Sequence, residues 1–246
     1  MNIKEIQDCL FEMADLKYKE FHSGLVSNVN KDKFIGVRVP ALRKLAKGLV
    51  KDSKNNNDIE AFLQQLPHDF YEENQLHSFL IDYLDDDFWK CWERVEAFLP
   101  EIDNWAVCDS FKPRGLKKQP KALYAKLAEI LKSNEAYAVR WAIVVQISWF
   151  LDELFEPVMA ENAAKVAWNW TFEGEKAPEK DSPRYYVLMA VAWYFSMALV
   201  FQREAVIEYF QDGRLPIWVH NKSLQKVVES KQFTAGEKEE LKKLKI

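Results

Sequence analysis

The sequence contains few of the residues that form turns. Only 7 glycines and 9 prolines occur among its 246 residues. A sheet of many strands needs more of them, because its hairpins depend on turn-forming residues. Long helices joined by short connections need few. We therefore predict that strands are absent or minor.

Cysteine is also scarce. The three cysteines, Cys9, Cys91 and Cys108, are too far apart for the spacing of a metal site. Their number is odd, and nothing in the sequence indicates a disulfide framework. We predict free, buried thiols and no zinc site.

The short motifs of the common nucleotide-binding and hydrolytic classes are absent as well. The sequence has no P-loop, no dinucleotide-binding glycine pattern, no Gly-x-Ser-x-Gly and no His-Glu-x-x-His. Its four histidines are scattered, so we predict surface or capping positions without a catalytic role for His22, His68, His77 and His220.

No run of about 18 uninterrupted apolar residues occurs, as a membrane-spanning helix would require. Near the N-terminus, Lys4, Glu5 and Asp8 interrupt the apolar residues in a way that a signal peptide does not. At 48% hydrophobic and 14% aromatic residues, the chain has enough apolar surface to fold. We expect a cytoplasmic protein that has no membrane partner.

Apolar residues recur at helical spacing along the whole chain, and each set predicts one buried helix face. Proline stands where a helix would begin at Pro40, Pro120 and Pro183. Successive helix pairs of roughly 35 to 45 residues favour an all-α fold, an α-α superhelix of HEAT- or armadillo-like pairs, over a compact bundle. We predict one domain over residues 1–246. The apolar sets include Ile3, Ile6, Leu10 and Met13; Leu42, Leu45 and Leu49; Leu76, Leu80 and Tyr83; Leu123, Leu127 and Ile130; and Val187, Ala190, Val191 and Tyr194.

Charge is spread unevenly along the chain, whose formal net charge is -4. The stretch 58–103 is rich in acids, and it is followed by six bases with no acid between them. This order allows a locally positive surface on a net-acidic protein, whereas a solvated helix face is the alternative. The bases are Lys112, Arg114, Lys117, Lys118, Lys121 and Lys126.

One short segment could carry chemistry. Trp105 and Asp109 are four residues apart and would share one helix face beside Val107, Cys108 and Phe111. A carboxylate can stabilise an oxocarbenium-like centre, and an indole face attracts a cation. A structural interpretation, with Trp105 in the core and Asp109 as a paired or capping acid, stays open.

Two other apolar helices contain a notable residue. Arg140 begins a strongly apolar stretch, where a guanidinium is costly unless it meets an anion such as Asp109 or a phosphate. Trp193 occupies a similar stretch, although tryptophan there is usually a core residue.

These segments resemble the DNA alkylation repair family, the HEAT-like-repeat alkylpurine DNA glycosylases of AlkD type. The resemblance lies in residues 35–44 (IGVRVPALRK), residues 104–111, the Arg140 helix and the Trp193 helix, and it continues through residues 218–226. These segments occur in the family's order and cover most of the chain.

The resemblance implies an enzyme that hydrolyses the N-glycosidic bond of purines made cationic by N3 or N7 alkylation, without a cofactor or a metal. Asp109 then matches the catalytic aspartate, Trp105 and Trp193 the aromatic cleft residues, and Arg140 the cleft arginine. The implied partner is duplex DNA with alkylated bases, bound by a monomer. The bases that we expect to contact DNA are Arg38, Arg43, Lys117, Lys118 and Lys222.

Two features depart from the family pattern. Active members commonly have Asp directly after the cleft tryptophan, whereas this chain has Ala106. The stretch 18–34, which matches an N-terminal helix that enters the minor groove, contains Gly24, Asn28 and Asn30 and looks short. A second hypothesis therefore stands beside the glycosylase: a non-catalytic helical scaffold that binds nucleic acid weakly or binds a protein partner.

Overall fold

The computed structural model describes residues 2–52 and 56–246, and within these residues every regular element is a helix. The all-α prediction is confirmed. The chain forms two compact units, Met1–Tyr124 and Ala125–Ile246, with helix α8 (Pro120–Ile130) running through the boundary.

The first unit contains seven helices within its described residues, and α5 lies at its centre. Helices α3, α4, α6 and α7 all pack against α5. Short 3-10 turns follow α2, α6 and α7 at Lys31–Lys33, Leu99–Glu101 and Arg114–Lys118. The helices are α1 (Ile3–Glu12), α2 (Leu16–Leu25), α3 (Val39–Lys51), α4 (Asn56–Gln64), α5 (Tyr71–Tyr83), α6 (Phe88–Phe98) and α7 (Trp105–Ser110).

The second unit is built around one long apolar helix. Helix α11 packs against the helices that precede and follow it, α9, α10, α12 and α14. The bounds are α9 (Ala136–Trp149), α10 (Pro157–Asn169), α11 (Pro183–Phe201), α12 (Arg203–Val206), α13 (Glu208–Gln211), α14 (Ile217–Glu229) and α15 (Ala235–Lys242).

Helix α11 is the one helix of the described residues that is long and apolar enough to cross a membrane, and 61% of its most apolar window is buried inside the protein. Its side chains include the fully buried Tyr194 and Phe195. A core helix of a protein without a membrane span passes the same test of length and composition, and the burial of α11 accounts for its composition in this way.

The predicted starts of three helices are confirmed. Pro40 lies in the first turn of α3, and Pro120 and Pro183 begin α8 and α11. Proline is tolerated there because the first amides of a helix have no partner within it. Most residues of the predicted apolar faces are also buried, and Ile6 and Leu42 are fully inaccessible. Five of them are only half-buried: Ile3, Met13, Leu45, Tyr83 and Ile130.

The predicted surface position is wrong for three of the four histidines. His68, His77 and His220 are buried, and only His22 is half-buried. Each buried ring has a partner that the sequence did not indicate: His68 and His77 hydrogen-bond each other, and Nε2 of His220 lies 2.7 Å from the Leu244 carbonyl. A polar ring can be buried when such a partner satisfies it.

The cysteine prediction is confirmed for the free thiols and partly for their burial. Cys91 and Cys108 are free and buried, whereas Cys9 is free but only half-buried. The burial of Cys91 raises the pKa of its thiol to about 12, so this thiol is unreactive near neutral pH.

Candidate active site and nucleic-acid surface

Helix α7 presents Trp105 and Asp109 together, as their spacing predicted. Both side chains are half-buried, whereas Val107 on the opposite face of the helix and Cys108 beside it are inaccessible to solvent. An indole and a carboxylate therefore stand on the accessible side of one short helix. The inward residues fix that orientation because they anchor the opposite face in the core.

The start of α7 is held by a buried side chain. Asn104 is 1% exposed, and its side-chain oxygen accepts hydrogen bonds from the backbone N–H groups of Ala106 and Val107, at 3.1 and 3.0 Å. A six-residue helix is too short to be stable by itself, so an anchored cap is needed to fix it. The cap determines where Trp105, the first residue of the helix, is placed.

The end of α7 is held by α5. The Gln75 side chain donates a 2.7 Å hydrogen bond to the Ser110 hydroxyl, and that hydroxyl donates to the carbonyl of Ala106, 2.9 Å away. Phe111, which follows, is fully buried against the edge of Phe98. Asp109 therefore precedes a half-buried serine that is held by α5 and a phenylalanine that is fixed in the interior.

Lys112 lies just after α7, and charges of both signs act on its ammonium group. Burial lowers the pKa of Lys112, the nearby positive charge of Arg43 lowers it as well, and the negative charge of Asp109 opposes both effects. Asp109 and Arg43 are thus close enough to Lys112 to act on one ammonium group. Asp109, the catalytic candidate, and Arg43 of α3 therefore both lie near Lys112.

Three cations surround one tyrosine in the first unit. The guanidinium of Arg43 lies 4.0 Å from the ring centroid of Phe79, and its Nη1 donates a 3.2 Å hydrogen bond to Tyr83 Oη. The Lys47 ammonium and the Arg114 guanidinium each lie 5.2 Å from the Tyr83 ring centroid. We call Arg43, Lys47 and Arg114 the Tyr83 cluster.

The Tyr83 cluster was only partly predicted. Arg43 was predicted to bind DNA, and Arg114 belongs to the basic segment, but Lys47 was not singled out. The available signal was its spacing, because Lys47 is four residues after Arg43 on the same face of α3. The contacts of Arg43 and Lys47 among the described residues are with aromatic side chains, whereas Arg114 also pairs with Asp82 at 3.2 Å.

Other predicted DNA-binding residues of this unit are paired with carboxylates. Arg38 forms a 2.8 Å ion pair with Asp15, and its guanidinium lies 4.9 Å from the Tyr18 ring centroid. Lys118 pairs with Asp85 at 2.9 Å. Lys117 is exposed in the same 3-10 turn. The basic segment after α7 therefore meets the acidic run before α6, which reduces its net positive charge.

The remaining predicted site residues belong to the second unit. Arg140 is 7% exposed, and it donates a 2.7 Å hydrogen bond from Nη1 to the Tyr186 carbonyl, with its Cζ 5.9 Å from the Tyr186 ring centroid. Trp193 is half-buried on α11. Lys222 on α14 lies 5.9 Å from the Trp218 ring centroid. The carbonyl of Tyr186 satisfies part of the buried guanidinium, which the sequence had led us to assign to an anion alone.

No group of three or more His, Cys, Asp or Glu side chains in residues 2–52 and 56–246 is placed to hold a metal ion. The groups of α7 that are accessible for chemistry are the Asp109 carboxylate and the Trp105 indole. Basic side chains are its neighbours.

Every regular element of the described residues is a helix, as in HEAT-like helical repeat proteins. A family model described as "DNA alkylation repair enzyme" matches residues 8–167, and the chain belongs to that family. The match begins within α1, includes helices α2 to α9 and ends near the end of α10. No curated protein and no solved structure matches the chain significantly.

Proposed function

We propose that the protein is a DNA glycosylase that hydrolyses the N-glycosidic bond of cationic N3- and N7-alkylpurines in duplex DNA. The observation that carries the proposal is the joint presentation of Trp105 and Asp109 on the accessible face of α7. Membership of the DNA alkylation repair enzyme family supports the same substrate class.

The chemistry follows from the charge of the substrate. An alkylated purine is already cationic and leaves as a neutral base, so the departing base does not need to be protonated. The sugar then carries developing positive charge at its anomeric carbon, which the Asp109 carboxylate stabilises. Trp105 offers its π face to the cationic base or sugar. Water adds to the anomeric carbon and loses a proton, which leaves an abasic site.

Binding of the DNA backbone is assigned to the Tyr83 cluster in the first unit. Arg43 and Lys47 are ordered by aromatic rings, so little conformational entropy is lost when they meet a phosphate. Lys112 links this surface to Asp109. From the second unit we assign Arg140, Trp193 and Lys222 to DNA contact, as the resemblance implies.

An excision assay tests this function. The protein, in excess over duplex DNA that contains N7-methylguanine, is expected to release the base faster than spontaneous depurination. Asp109→Asn should lower the single-turnover rate by about 100-fold or more, because it removes one electrostatic stabiliser of the transition state. Lys132→Asn, a change of an exposed lysine that pairs with Glu129 in the second unit, is the control. Release at the spontaneous rate by the wild-type protein would refute the proposal.

A second candidate function has specific support. Arg38, Arg114 and Lys118 are paired with acids, and Ala106 follows Trp105. Fewer bases are then available to neutralise phosphates, which weakens DNA binding and its dependence on salt. A non-catalytic scaffold is the function that these pairs favour. Binding to methylated duplex without any base release would identify it.

A further inference from the structure

A chain of hydrogen bonds crosses the first unit from α2 to α7. Nε2 of His22 lies 3.0 Å from Tyr71 Oη, and that hydroxyl donates to Gln75 Oε1 at 3.3 Å. Gln75 Nε2 then donates to Ser110 Oγ at 2.7 Å. Tyr71 is 4% and Gln75 1% exposed, so the middle of the chain is shielded from water.

The direction of these hydrogen bonds is fixed by two serines. The Ser110 hydroxyl donates to the Ala106 carbonyl, and the Ser78 hydroxyl donates to the Gln75 carbonyl, 2.7 Å away. Each serine proton is therefore used in a hydrogen bond to a backbone carbonyl. Each serine oxygen can then only accept a hydrogen bond from the Gln75 side chain. The group that faces them must be the amide nitrogen, which is 3.0 Å from Ser78 Oγ.

The same logic sets the proton on His22. Because the amide nitrogen of Gln75 faces the serines, its oxygen faces Tyr71 and takes the phenolic proton. The Tyr71 oxygen must then accept from His22, so His22 carries its proton on Nε2. Burial lowers the pKa of His22, which favours the neutral ring. Every bond in the chain then points from α2 toward α7, and bonds aligned in this way strengthen one another.

We propose that His22, Tyr71 and Gln75 are positioning residues that act through Ser110 to hold α7, and with it Asp109, in its reactive orientation. The proposal rests on the proposed glycosylase function. The geometric reason is the length of α7: its first turn is fixed by Asn104, but its last residue, Ser110, is held through Gln75. Without that bond, the carboxylate one residue earlier loses its fixed distance to the reacting sugar, to which rates are sensitive.

The test compares two serines that accept from the same glutamine. Ser110→Ala removes the link to α7, and Ser78→Ala removes a more deeply buried hydroxyl that accepts from the same amide but lies on α5 itself. We expect Ser110→Ala to lower the single-turnover excision rate by about 10-fold with unchanged DNA affinity, Ser110→Thr to restore most of it, and Ser78→Ala to leave it near the wild-type rate. Equal losses in the two alanine variants would overturn the proposal.

A measurement without catalysis separates this proposal from the glycosylase function. Nitrogen-15 NMR of the imidazoles is expected to show His22 protonated on Nε2 in the wild type and to show a change of tautomer in Tyr71→Phe, which removes the acceptor. Amide exchange of residues 105–110 should quicken in Ser110→Ala but not in Ser78→Ala. If the wild type excises no base, the proposed function fails, and these readouts still decide whether α7 is held in this way. A wild-type proton on Nδ1, or unchanged exchange in Ser110→Ala, would refute it.

Discussion

Nε2 of His68 lies 2.8 Å from Nδ1 of His77 inside the core of the first unit. Each ring is also stacked on a phenylalanine, His68 on Phe62 at 4.6 Å and His77 on Phe98 at 4.0 Å. Burial lowers the pKa of His68 to about 4 and holds the pKa of His77 well below its usual range. Both rings are therefore neutral in the folded protein at neutral pH.

The histidine pair predicts a loss of stability in mild acid. The unfolded chain protonates these histidines below about pH 6.5, whereas the folded chain does not protonate His68 until the pH approaches 4, and the pKa of the buried His77 is also well below its usual range. The contribution of the pair to the free energy of unfolding is therefore fully present above pH 6.5. It falls as the pH is lowered, by up to about 1.4 kcal/mol per pH unit for each histidine. The free energy of unfolding, measured in urea at pH 7 and at pH 5, should differ less between the two pH values for the His68→Phe, His77→Phe double variant than for the wild type. An equal change in unfolding free energy between the two pH values in both proteins would contradict this prediction.

Gly36 cannot be replaced by alanine without strain. Its φ is +103°, and an added Cβ would lie 2.6 Å from the Asp15 carbonyl oxygen. Its N–H also donates a 2.7 Å hydrogen bond to the fully buried carboxylate of Glu72. Gly36→Ala is expected to destabilise the protein by about 2 kcal/mol or more. Gly48→Ala, in an open position on α3, should instead stabilise it by about 0.5 to 1 kcal/mol, and thermal unfolding compares the two.

The Tyr83 cluster predicts which lysine matters for DNA affinity. Lys47→Gln should weaken binding to undamaged duplex and reduce the slope of log K against log salt by about 0.9, the value for one lost phosphate contact. Lys118→Gln should have a smaller effect, because Lys118 is already paired with Asp85. Fluorescence anisotropy over a range of salt concentrations measures both slopes. A larger effect of Lys118→Gln would assign the backbone contact to the basic segment instead.

The Asn104 cap of α7 is expected to contribute both to the free energy of unfolding and to the excision rate. Asn104→Ala removes the side chain that accepts from Ala106 and Val107, and the expected cost is about 1 to 2 kcal/mol of unfolding free energy. Excision should fall as well, because Trp105 begins the helix that this residue caps. Asn104→Asp keeps a capping oxygen and should recover stability in the same denaturation experiment. If Asn104→Ala excised bases at the wild-type rate, the cap would not position the site.

Local patterns in the sequence predicted the helices well. Prolines marked three helix starts, and the spacing of Trp105 and Asp109 predicted that both share one face of α7. These features depend on residues a few positions apart, for which helix geometry alone fixes the arrangement.

Contacts between distant residues could not be predicted in this way. Helix α5 was expected to have one apolar face, yet it also buries Glu72, Gln75 and His77. Their partners are far away in the chain: Glu72 accepts from the backbone of residues 35–37. The pairing of Lys118 with Asp85 is of the same kind. Periodicity treats a polar residue as a surface residue, and only the tertiary fold shows which polar groups have a buried partner.

The order in which α11 and its neighbours are synthesised has a consequence for the cell. Helix α11 packs against both α9 and α14, and α14 is translated after it. A nascent chain that ends between these two helices therefore exposes a strongly apolar surface to solvent or to a chaperone, and apolar surface exposed during folding favours aggregation. Ribosome stalling or premature termination in residues 202–216 would yield a fragment that quality control recognises, even though the residues matched by the repair family model are already complete.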